Sequence, residues 1–328
     1  MRAMVIPRFG EAEVLQLQER PLPTPGEHDL LLEVHAAALN PVDFKVRRGA
    51  FARDRVLPII PGYDVSGVIR TVGGAVRDFQ PGDAVYASPS LRRDGAHAEF
   101  VCVDARTAAP KPASLSHEQA AALPLVGFTV WEALHRAALQ PGETVLIHAG
   151  GGGVGHLALQ WAKLLAPVRV LTTASRDESV DLCRRLGADV VINYRTEDFV
   201  ARVREETAGR GCAVVFDTVG GETFDRSLDC LAVNGRVITV VGTPSERIPQ
   251  KLFRLNATLH FEFMGAPTVY GIEPEKQGRA LRALAALVDA GRIKPHVSRV
   301  LALEELAEGH RLLEAGHVTG KIAVRIKV

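Results

Sequence analysis

A run of glycines near the middle of the chain has the spacing needed to hold a phosphorylated ligand. Residues 149–155 read Ala-Gly-Gly-Gly-Gly-Val-Gly, which contains the pattern Gly-x-Gly-x-x-Gly. In this pattern the first glycine allows a tight turn, the second admits a pyrophosphate against the backbone, and the third lets a helix pack on a strand. Free amides at the start of that helix favour an anion. The predicted dinucleotide-binding residues of this loop are Gly150, Gly152, Gly153, Val154 and Gly155.

The residues that follow the next strand indicate which dinucleotide is bound. NAD sites usually place an acid about 20 residues past the loop to hold the ribose 2′-hydroxyl. Here Ser175 and Arg176 occupy that place. A hydroxyl and a guanidinium suit a 2′-phosphate, because Arg forms bidentate, charge-assisted hydrogen bonds to phosphate. Asp177 and Glu178 are alternative ribose ligands, although both also fit a helix-capping box that begins at Ser175. The sequence therefore favours NADPH over NADH.

Alternating strand and helix signals surround this loop. Strands are predicted at 144–148, 168–173, 190–193, 213–217 and 236–241, and helices at 153–165, 176–186, 198–206 and 223–231. Short connections between alternating elements are typical of a doubly wound parallel sheet. The β-rich run 258–264 is expected to add a sixth strand at the sheet edge. Gly242, which follows the fifth strand, lies where such sheets bind ligands.

The rest of the chain has a different pattern of predicted elements. Short apolar runs at 29–36, 67–72, 84–87 and 99–103 are separated by Gly- and Pro-containing turns, which indicates an antiparallel, barrel-like β domain. The strands and helices expected after residue 267 return to this domain. The predicted organisation is therefore residues 1–126 plus 268–328 as one domain, with 127–267 as an inserted nucleotide-binding domain.

Composition narrows the class of protein. The chain has 328 residues, 47% of them hydrophobic, and its formal net charge of +1 gives no field to hold nucleic acid. The four cysteines, Cys102, Cys183, Cys212 and Cys230, lie far apart and form no Cys-x-x-Cys pair. No stretch approaches the ~18 apolar residues of a membrane span. We expect a cytoplasmic protein in a reducing compartment, without nucleic-acid or membrane partners.

Several motifs together resemble a known family. They are Asn-Pro-Val-Asp at 40–43, Pro-Gly-Tyr-Asp at 61–64, Pro-Gly-Asp at 81–83, Gly-Phe-Thr at 127–129, the glycine loop and Thr-Gly-Lys at 319–321. The chain resembles the zinc-independent medium-chain dehydrogenases/reductases of the quinone oxidoreductase (zeta-crystallin-like) group. This resemblance implies an α/β protein in which a Rossmann sheet is inserted in a GroES-like β-barrel-type domain.

The resemblance also implies the absence of a metal. Zinc-containing members of the superfamily place ligands at the positions of Asn40, Tyr63 and Val126. A catalytic zinc needs three N, S or O ligands plus an open position, and these three residues do not form such a set. The expected enzyme therefore transfers hydride without a metal.

Site residues follow from the matched motifs. The resemblance places Asn40 beside the nicotinamide and Lys45 near the nicotinamide ribose or the substrate, with a surface lysine as the alternative reading. Tyr63 is a candidate hydrogen-bond donor to the substrate, or else a packed core tyrosine. The remaining residues implied to contact the cofactor are Thr129 and Phe263 with Gly265 near the nicotinamide, and Tyr194 and Lys321 near the 2′-phosphate.

The expected reaction is reduction of a quinone or activated conjugated carbonyl by NADPH. One alternative is an enone, 2-alkenal or enoyl-thioester reductase on the same scaffold. For the thioester case, Arg47, Arg48, Arg53 and Arg55 are candidate carrier-binding cations. The alternative from another class is a non-catalytic NADPH-binding sensor or structural protein. The exposed edge at 258–264 should be covered, and relatives pair it across a two-fold axis, so a homodimer is expected.

Overall fold

The computed structural model describes residues 1–52, 54–242, 245–316 and 318–327. The first elements are β1 (Arg2–Val5), β2 (Gln16–Glu19), β3 (Asp29–Ala38), α1 (Pro41–Arg47), β4 (Val65–Val72), β5 (Ala84–Ala87), β6 (Phe100–Asp104), β7 (Ala109–Pro110), α2 (His117–Ala121) and α3 (Pro124–Ala137). They continue with β8 (Thr144–Ile147), α4 (Gly155–Leu165), β9 (Arg169–Ala174), α5 (Asp177–Arg185), β10 (Val190–Asn193), α6 (Phe199–Glu206), β11 (Cys212–Asp217), α7 (Gly221–Ser227), β12 (Leu231–Thr239), α8 (Ile248–Leu255) and β13 (Thr258–Phe261). The last are α9 (Ala266–Tyr270), α10 (Glu275–Asp289), β14 (Val297–Ala302), α11 (Leu306–Glu314) and β15 (Lys321–Arg325).

The chain divides into two compact units. Met1–Phe128 and Gly265–Val328 form the first, which we call the β unit, and Thr129–Met264 form the second, the nucleotide unit. The sequence-based boundaries were expected after residues 126 and 267. In the described part of the chain, no helix has both the length and the apolar character of a membrane span.

The nucleotide unit contains one six-stranded parallel sheet in the order β10-β9-β8-β11-β12-β13. Counted from β8, this is the order 3-2-1-4-5-6 of the Rossmann fold. Strands β8, β9 and β11 are buried along most of their length, as expected for a parallel sheet with helices on both faces. The predicted fold class is therefore confirmed for this unit.

The β unit is built around the long strand β3. Strand β4 pairs with one edge of β3, while β6 and then β15 pair along the other edge, all antiparallel. The sheet continues through β5 and β7 on one side and β14 on the other, and β1 and β2 form a separate hairpin. Its core consists of alternate residues such as Leu30, Leu32 and Val34, which are buried on one face of β3. Leu301, Ile322 and Val324 of the C-terminal strands belong to the same buried cluster, which explains why these strands return to this unit.

Three local expectations differ from the structure. The helix expected at 223–231 is α-helical only to Ser227 and continues as a 3-10 turn to Cys230, because Leu231 already pairs with Cys212 in the parallel ladder. The edge strand expected at 258–264 ends at Phe261. Helix α8 was not predicted; it buries no residue fully, although Ile248, Leu252 and Leu255 pack against the core of the nucleotide unit. None of these differences alters the order of the strands.

Candidate functional site

The glycine loop connects β8 to α4. The Ala149 amide donates to Thr173 Oγ1 at 3.0 Å, and the Gly150 amide donates to the Thr173 carbonyl at 3.0 Å. These two bonds fix the start of the loop to the end of β9. Farther along, His156 Nδ1 lies 3.0 Å from the Gly152 carbonyl. Thr173 and His156 therefore position the loop, a role that the sequence pattern alone did not reveal.

Two of the loop glycines are required by close packing. A Cβ atom on Gly150 would lie 2.1 Å from Thr172 Oγ1, and a Cβ atom on Gly155 would lie 2.2 Å from the Ala149 carbonyl oxygen. Gly152 is less confined, because its nearest contact would be 3.2 Å away. The first and third glycines thus shape the turn and the helix–strand packing, while the second leaves backbone accessible.

The tip of the loop presents backbone donors. Gly152, Gly153 and Val154 are half-buried, whereas Gly150 and Gly155 are fully buried. Among the described residues, the amides of Gly153 and Val154 have no acceptor. They precede the first turn of α4, where the helix dipole adds positive potential. This donor set fits a dinucleotide pyrophosphate.

Other predicted cofactor residues of the nucleotide unit follow the carboxyl ends of neighbouring strands. Ser175 and Arg176 follow β9, and Tyr194 follows β10, the next strand in the sheet. Asn193 Nδ2 donates to the Ser175 carbonyl at 3.5 Å, and the Tyr194 side chain is half exposed. The structure therefore brings these predicted residues to the same edge as the glycine loop.

The predicted capping box at Ser175 does not form. Arg176 has extended backbone angles (φ −94°, ψ 143°) and is itself the N-cap residue, so α5 begins at Asp177. The helix thus starts one residue later than the box with Glu178 requires. Asp177 and Glu178 are both exposed on its first turn.

The remaining residues predicted to contact the nicotinamide end differ in how deeply they are buried. Thr129 is buried in α3, Phe263 is 38% exposed just after β13, and Gly265 precedes α9. Gly242 follows β12, and a Cβ atom there would meet nothing within 4 Å. The adjacent Thr243 and Pro244 lie outside the described residues.

Asn40 lies at the centre of a buried polar cluster in the β unit. It precedes α1, and its side chain is 1% exposed. Its Nδ2 donates to Asp64 Oδ2 at 2.7 Å, and its Oδ1 accepts from Lys321 Nζ at 2.5 Å. Asp64 Oδ1 also accepts from the Leu125 amide at 2.7 Å. Burial raises the pKa of Asp64, and the Lys321 ammonium opposes that rise.

A second carboxylate, Asp43, closes this cluster. Its Oδ2 accepts from the Asn40 amide at 2.6 Å and its Oδ1 accepts from the Gly62 amide at 3.1 Å. Complete burial raises the pKa of Asp43 to about 7. Asp43 and Asp64 lie within motifs of the sequence, but those motifs predict no role for either residue. The spacing Asn40-x-x-Asp43 at a helix start is the signal that could have found the first of them.

The role predicted for Lys321 is wrong. The resemblance placed it near the 2′-phosphate of the cofactor, but its side chain is buried in the β unit. The ammonium donates to Asn40 Oδ1, to the Leu39 carbonyl at 2.9 Å and to Asp64 Oδ2 at 3.1 Å. An ammonium has three N–H donors, so none remains for a phosphate.

Tyr63 and Lys45 have contrasting positions. The Tyr63 ring is fully buried in an apolar cluster, and its hydroxyl accepts from Arg55 Nη1 at 3.3 Å. Burial raises the pKa of this phenol above its usual value. The structure thus matches the core alternative for Tyr63. Lys45 lies on the exposed side of α1, one and a half turns after Asn40.

The described arginines that were candidates for binding a carrier are paired with acidic residues of the β unit. Arg47 is fully buried and donates to Glu314 at 2.7 Å and to the Gly10 carbonyl at 3.0 Å. Arg48 pairs with Glu11, and Arg55 pairs with Asp94. Arg53 lies outside the described residues.

Two histidines, His148 and His97, are structural by position. His148 Nε2 lies 2.7 Å from Ser227 Oγ, inside the nucleotide unit. His97 is completely buried, and burial lowers its pKa to about 3. It is therefore a core residue of the β unit. In the part of the chain that the structure describes, no three His, Cys, Asp or Glu side chains are grouped as metal ligands, and all four cysteines are free and buried.

A 3-2-1-4-5-6 parallel sheet inserted in a GroES-like β unit, with a glycine loop after its first strand, defines a medium-chain dehydrogenase/reductase. Two family models agree with this class. "Alcohol dehydrogenase GroES-like domain" matches residues 26–113, and "Zinc-binding dehydrogenase" matches residues 186–324. The chain belongs to the quinone oxidoreductase family within that class, as the following relatives establish.

The similarity extends over nearly the whole chain. It is 32% identical to the quinone oxidoreductase of Pongo abelii over 326 residues, which cover 98% of this chain and 97% of that protein. It is 33% identical to the chloroplastic NADPH-dependent alkenal/one oxidoreductase of Arabidopsis thaliana, covering 99% and 79%. The structure of Escherichia coli quinone oxidoreductase complexed with NADPH matches with a TM-score of 0.90 at 31% identity, covering 99% and 100%. The predicted family and fold class are therefore confirmed.

Proposed function

We propose that this protein is an NADPH-dependent reductase that transfers hydride to a quinone or an activated conjugated carbonyl compound. The observation that carries the proposal is the glycine-loop edge of the parallel sheet. There, the free amides of Gly153 and Val154 lie at one strand end, and Ser175, Arg176 and Tyr194 follow the next two strands. The names of the relatives, quinone oxidoreductases and an NADPH-dependent alkenal/one oxidoreductase, support the same function.

In this proposal the nucleotide unit holds the phosphorylated half of the cofactor. The accessible backbone at Gly152 lets a pyrophosphate approach, and the amides at the start of α4 donate to it. Arg176 binds the 2′-phosphate, which favours NADPH over NADH. When bound, NADPH supplies the hydride. Thr129, Gly242, Phe263 and Gly265 remain proposed contacts of its nicotinamide end.

The β unit would orient the reacting groups through Asn40. After its bonds to Asp64 and Lys321, the Asn40 amide keeps one N–H and one oxygen lone pair for a ligand. Lys45 offers an exposed ammonium on the same helix as a second donor. Quinones and enones are already electrophilic, so a small set of donors suffices to stabilise charge on the acceptor oxygen.

We further propose that the reaction needs no zinc, although one matching family model is described as "Zinc-binding dehydrogenase". The Lys321 ammonium lies 2.5 Å from Asn40 Oδ1, so a divalent cation at Asn40 would meet a positive charge. Tyr63 is buried with its hydroxyl directed at Arg55. These positions therefore do not form a zinc ligand set.

Three alternatives to quinone reduction can be distinguished by experiment. Reduction of enones or 2-alkenals is supported by the name of the Arabidopsis relative. Reduction of an enoyl thioester has less support, because Arg47, Arg48 and Arg55 are already paired with acidic partners. A non-catalytic NADPH-binding protein would bind the dinucleotide without turnover.

We also propose a homodimer and a cytoplasmic location. Strand β13 is the last strand of its sheet, and its final residue, Phe261, is 57% exposed, so a second copy pairing there would cover an open edge. Four free, buried cysteines suit a reducing compartment. The net charge of +1 argues against nucleic acid as a partner.

A two-stage experiment tests this function. Titration with NADPH and NADH should show tighter binding of NADPH. Steady-state oxidation of NADPH should then be measured with 1,4-benzoquinone, a simple enone and an enoyl-CoA, before and after treatment with a chelator. We expect turnover with the quinone or the enone that the chelator leaves unchanged. Binding without turnover would favour the non-catalytic alternative, and preference for enoyl-CoA would favour the thioester reductase.

A further inference from the structure

The side-chain amide of Asn40 is clamped between two charged groups of opposite sign. Lys321 Nζ contacts its oxygen, and Asp64 Oδ2 contacts its nitrogen. An ammonium can only donate and an ionised carboxylate can only accept, so each recognises one end of the amide. Lys321 and Asp64 also contact each other at 3.1 Å, so the three side chains form a closed ring.

This arrangement excludes the flipped amide. Rotation by 180° would place the NH2 group against the ammonium and the carbonyl oxygen against the carboxylate. Both contacts would be repulsive, and all three side chains are at most 3% exposed, so water cannot screen them. The pair of charges thus selects one orientation of Asn40 and, with it, the direction of its remaining N–H and lone pair.

We propose that Lys321 is a positioning residue that holds the Asn40 amide in its reactive orientation. The inference rests on the proposed function, in which Asn40 orients the reacting groups. It replaces the phosphate-binding role that the resemblance implied for Lys321. The competing explanation is that Lys321 only neutralises the buried Asp64, and the two explanations differ in whether its effect passes through Asn40.

The first test uses the protein without any cofactor. The chain has four asparagines, so selective 15N labelling gives four side-chain amide groups, and Asn40→Ala identifies the signals of Asn40. We expect the Asn40 amide protons to exchange with water at least tenfold more slowly than those of the exposed Asn256. In Lys321→Met, Asn40 exchange should accelerate while Asn256 stays unchanged. Equal exchange of Asn40 and Asn256 in the unmodified protein would overturn the proposal.

The second test is a double-mutant cycle on kcat at saturating NADPH. Lys321→Met should lower kcat at least tenfold in the unmodified chain but less than twofold in the Asn40→Ala background. The same loss in both backgrounds would assign Lys321 a purely structural role. Lys327→Met, at an exposed lysine of the C-terminal segment, is the matched control and should leave kcat unchanged.

The design separates three kinds of failure. If Lys321→Met does not fold, Lys321→Arg keeps the positive charge beside Asp64 but alters the donor geometry, and it should show the same non-additivity with Asn40→Ala. If the unmodified protein has no turnover, the proposed function fails, while the amide-exchange measurement still decides whether Lys321 orders Asn40. Additive effects of Lys321→Arg and Asn40→Ala would contradict the positioning role.

Discussion

The glycine-loop edge of the nucleotide unit and the Asn40 cluster of the β unit are the two proposed ligand-binding regions, and they present different chemical groups. The loop offers backbone amides, and its shape depends on glycines within seven residues. The cluster offers side chains, and its members Asn40, Asp64 and Lys321 are separated by 24 to 281 residues. The proposed phosphate site is therefore encoded locally, whereas the proposed orientation of the reacting groups depends on the complete fold of the β unit.

The largest effect on the free energy of unfolding is expected from Lys321→Met. Removing the ammonium leaves Asp64 as an uncompensated buried carboxylate, so the free energy of unfolding should fall by about 3–5 kcal/mol. Urea denaturation measures this change. The control Lys327→Met removes an exposed ion pair with Glu33 and should cost about 0–1 kcal/mol. Equal losses in both variants would contradict the distinction between a buried cluster and a solvated surface.

A somewhat smaller effect concerns Asp43 and pH. Its folded-state pKa of about 7 lies above the unfolded value near 3.9, so the folded state binds more protons between these limits. Stability contributed by this group is therefore present at low pH and is lost as pH rises from about 4 to 7, by on the order of 3–4 kcal/mol.

The variant Asp43→Asn isolates the contribution of Asp43 to the pH dependence of stability. The unfolding free energy of the unmodified protein minus that of the variant should decrease across this pH window and become level above pH ~7.5. The buried histidines titrate in both proteins, so they cancel in the difference. Asp78→Asn, at an exposed carboxylate, should give a flat difference. A flat curve for Asp43→Asn as well would show that Asp43 is ionised in the folded state throughout.

The glycine loop should respond to added volume rather than to lost charge. Gly155→Ala places a methyl group 2.2 Å from the Ala149 carbonyl oxygen, so the loop must shift. We expect a loss of about 1–3 kcal/mol in stability and weaker NADPH binding. Gly74→Ala, where a Cβ atom would meet nothing within 4 Å, is the control. Unchanged NADPH affinity in Gly155→Ala would contradict the expectation that cofactor binding depends on the shape of this loop.

The smallest expected effect is selective for one cofactor. Arg176→Ala should raise the Kd for NADPH about tenfold, or about 1.4 kcal/mol, because the half-buried guanidinium is partly screened by water. The Kd for NADH should stay unchanged, since it has no 2′-phosphate. Arg184→Ala, on the outer surface of the same helix, should change neither constant. Equal losses for NADH and NADPH would assign Arg176 another role.

The same contrast explains what the sequence could predict. The parallel sheet and its loop follow from local periodicity and glycine spacing, so Gly150, Gly155 and the strand ends were found. The start of α5 was misplaced by one residue, because Arg176 adopts an extended backbone that no local pattern specifies. The burial of Lys321 was missed because its three acceptors lie more than 250 residues away along the chain.

Hydride transfer from NADPH without a metal is tested by anaerobic mixing of the metal-depleted protein with one equivalent of NADPH and excess 1,4-benzoquinone, followed at 340 nm. We expect NADPH to bind stoichiometrically and its absorbance to disappear in enzyme-catalysed turnover at the rate of the untreated protein. Failure to bind NADPH, or turnover that returns only when zinc is added, would contradict it.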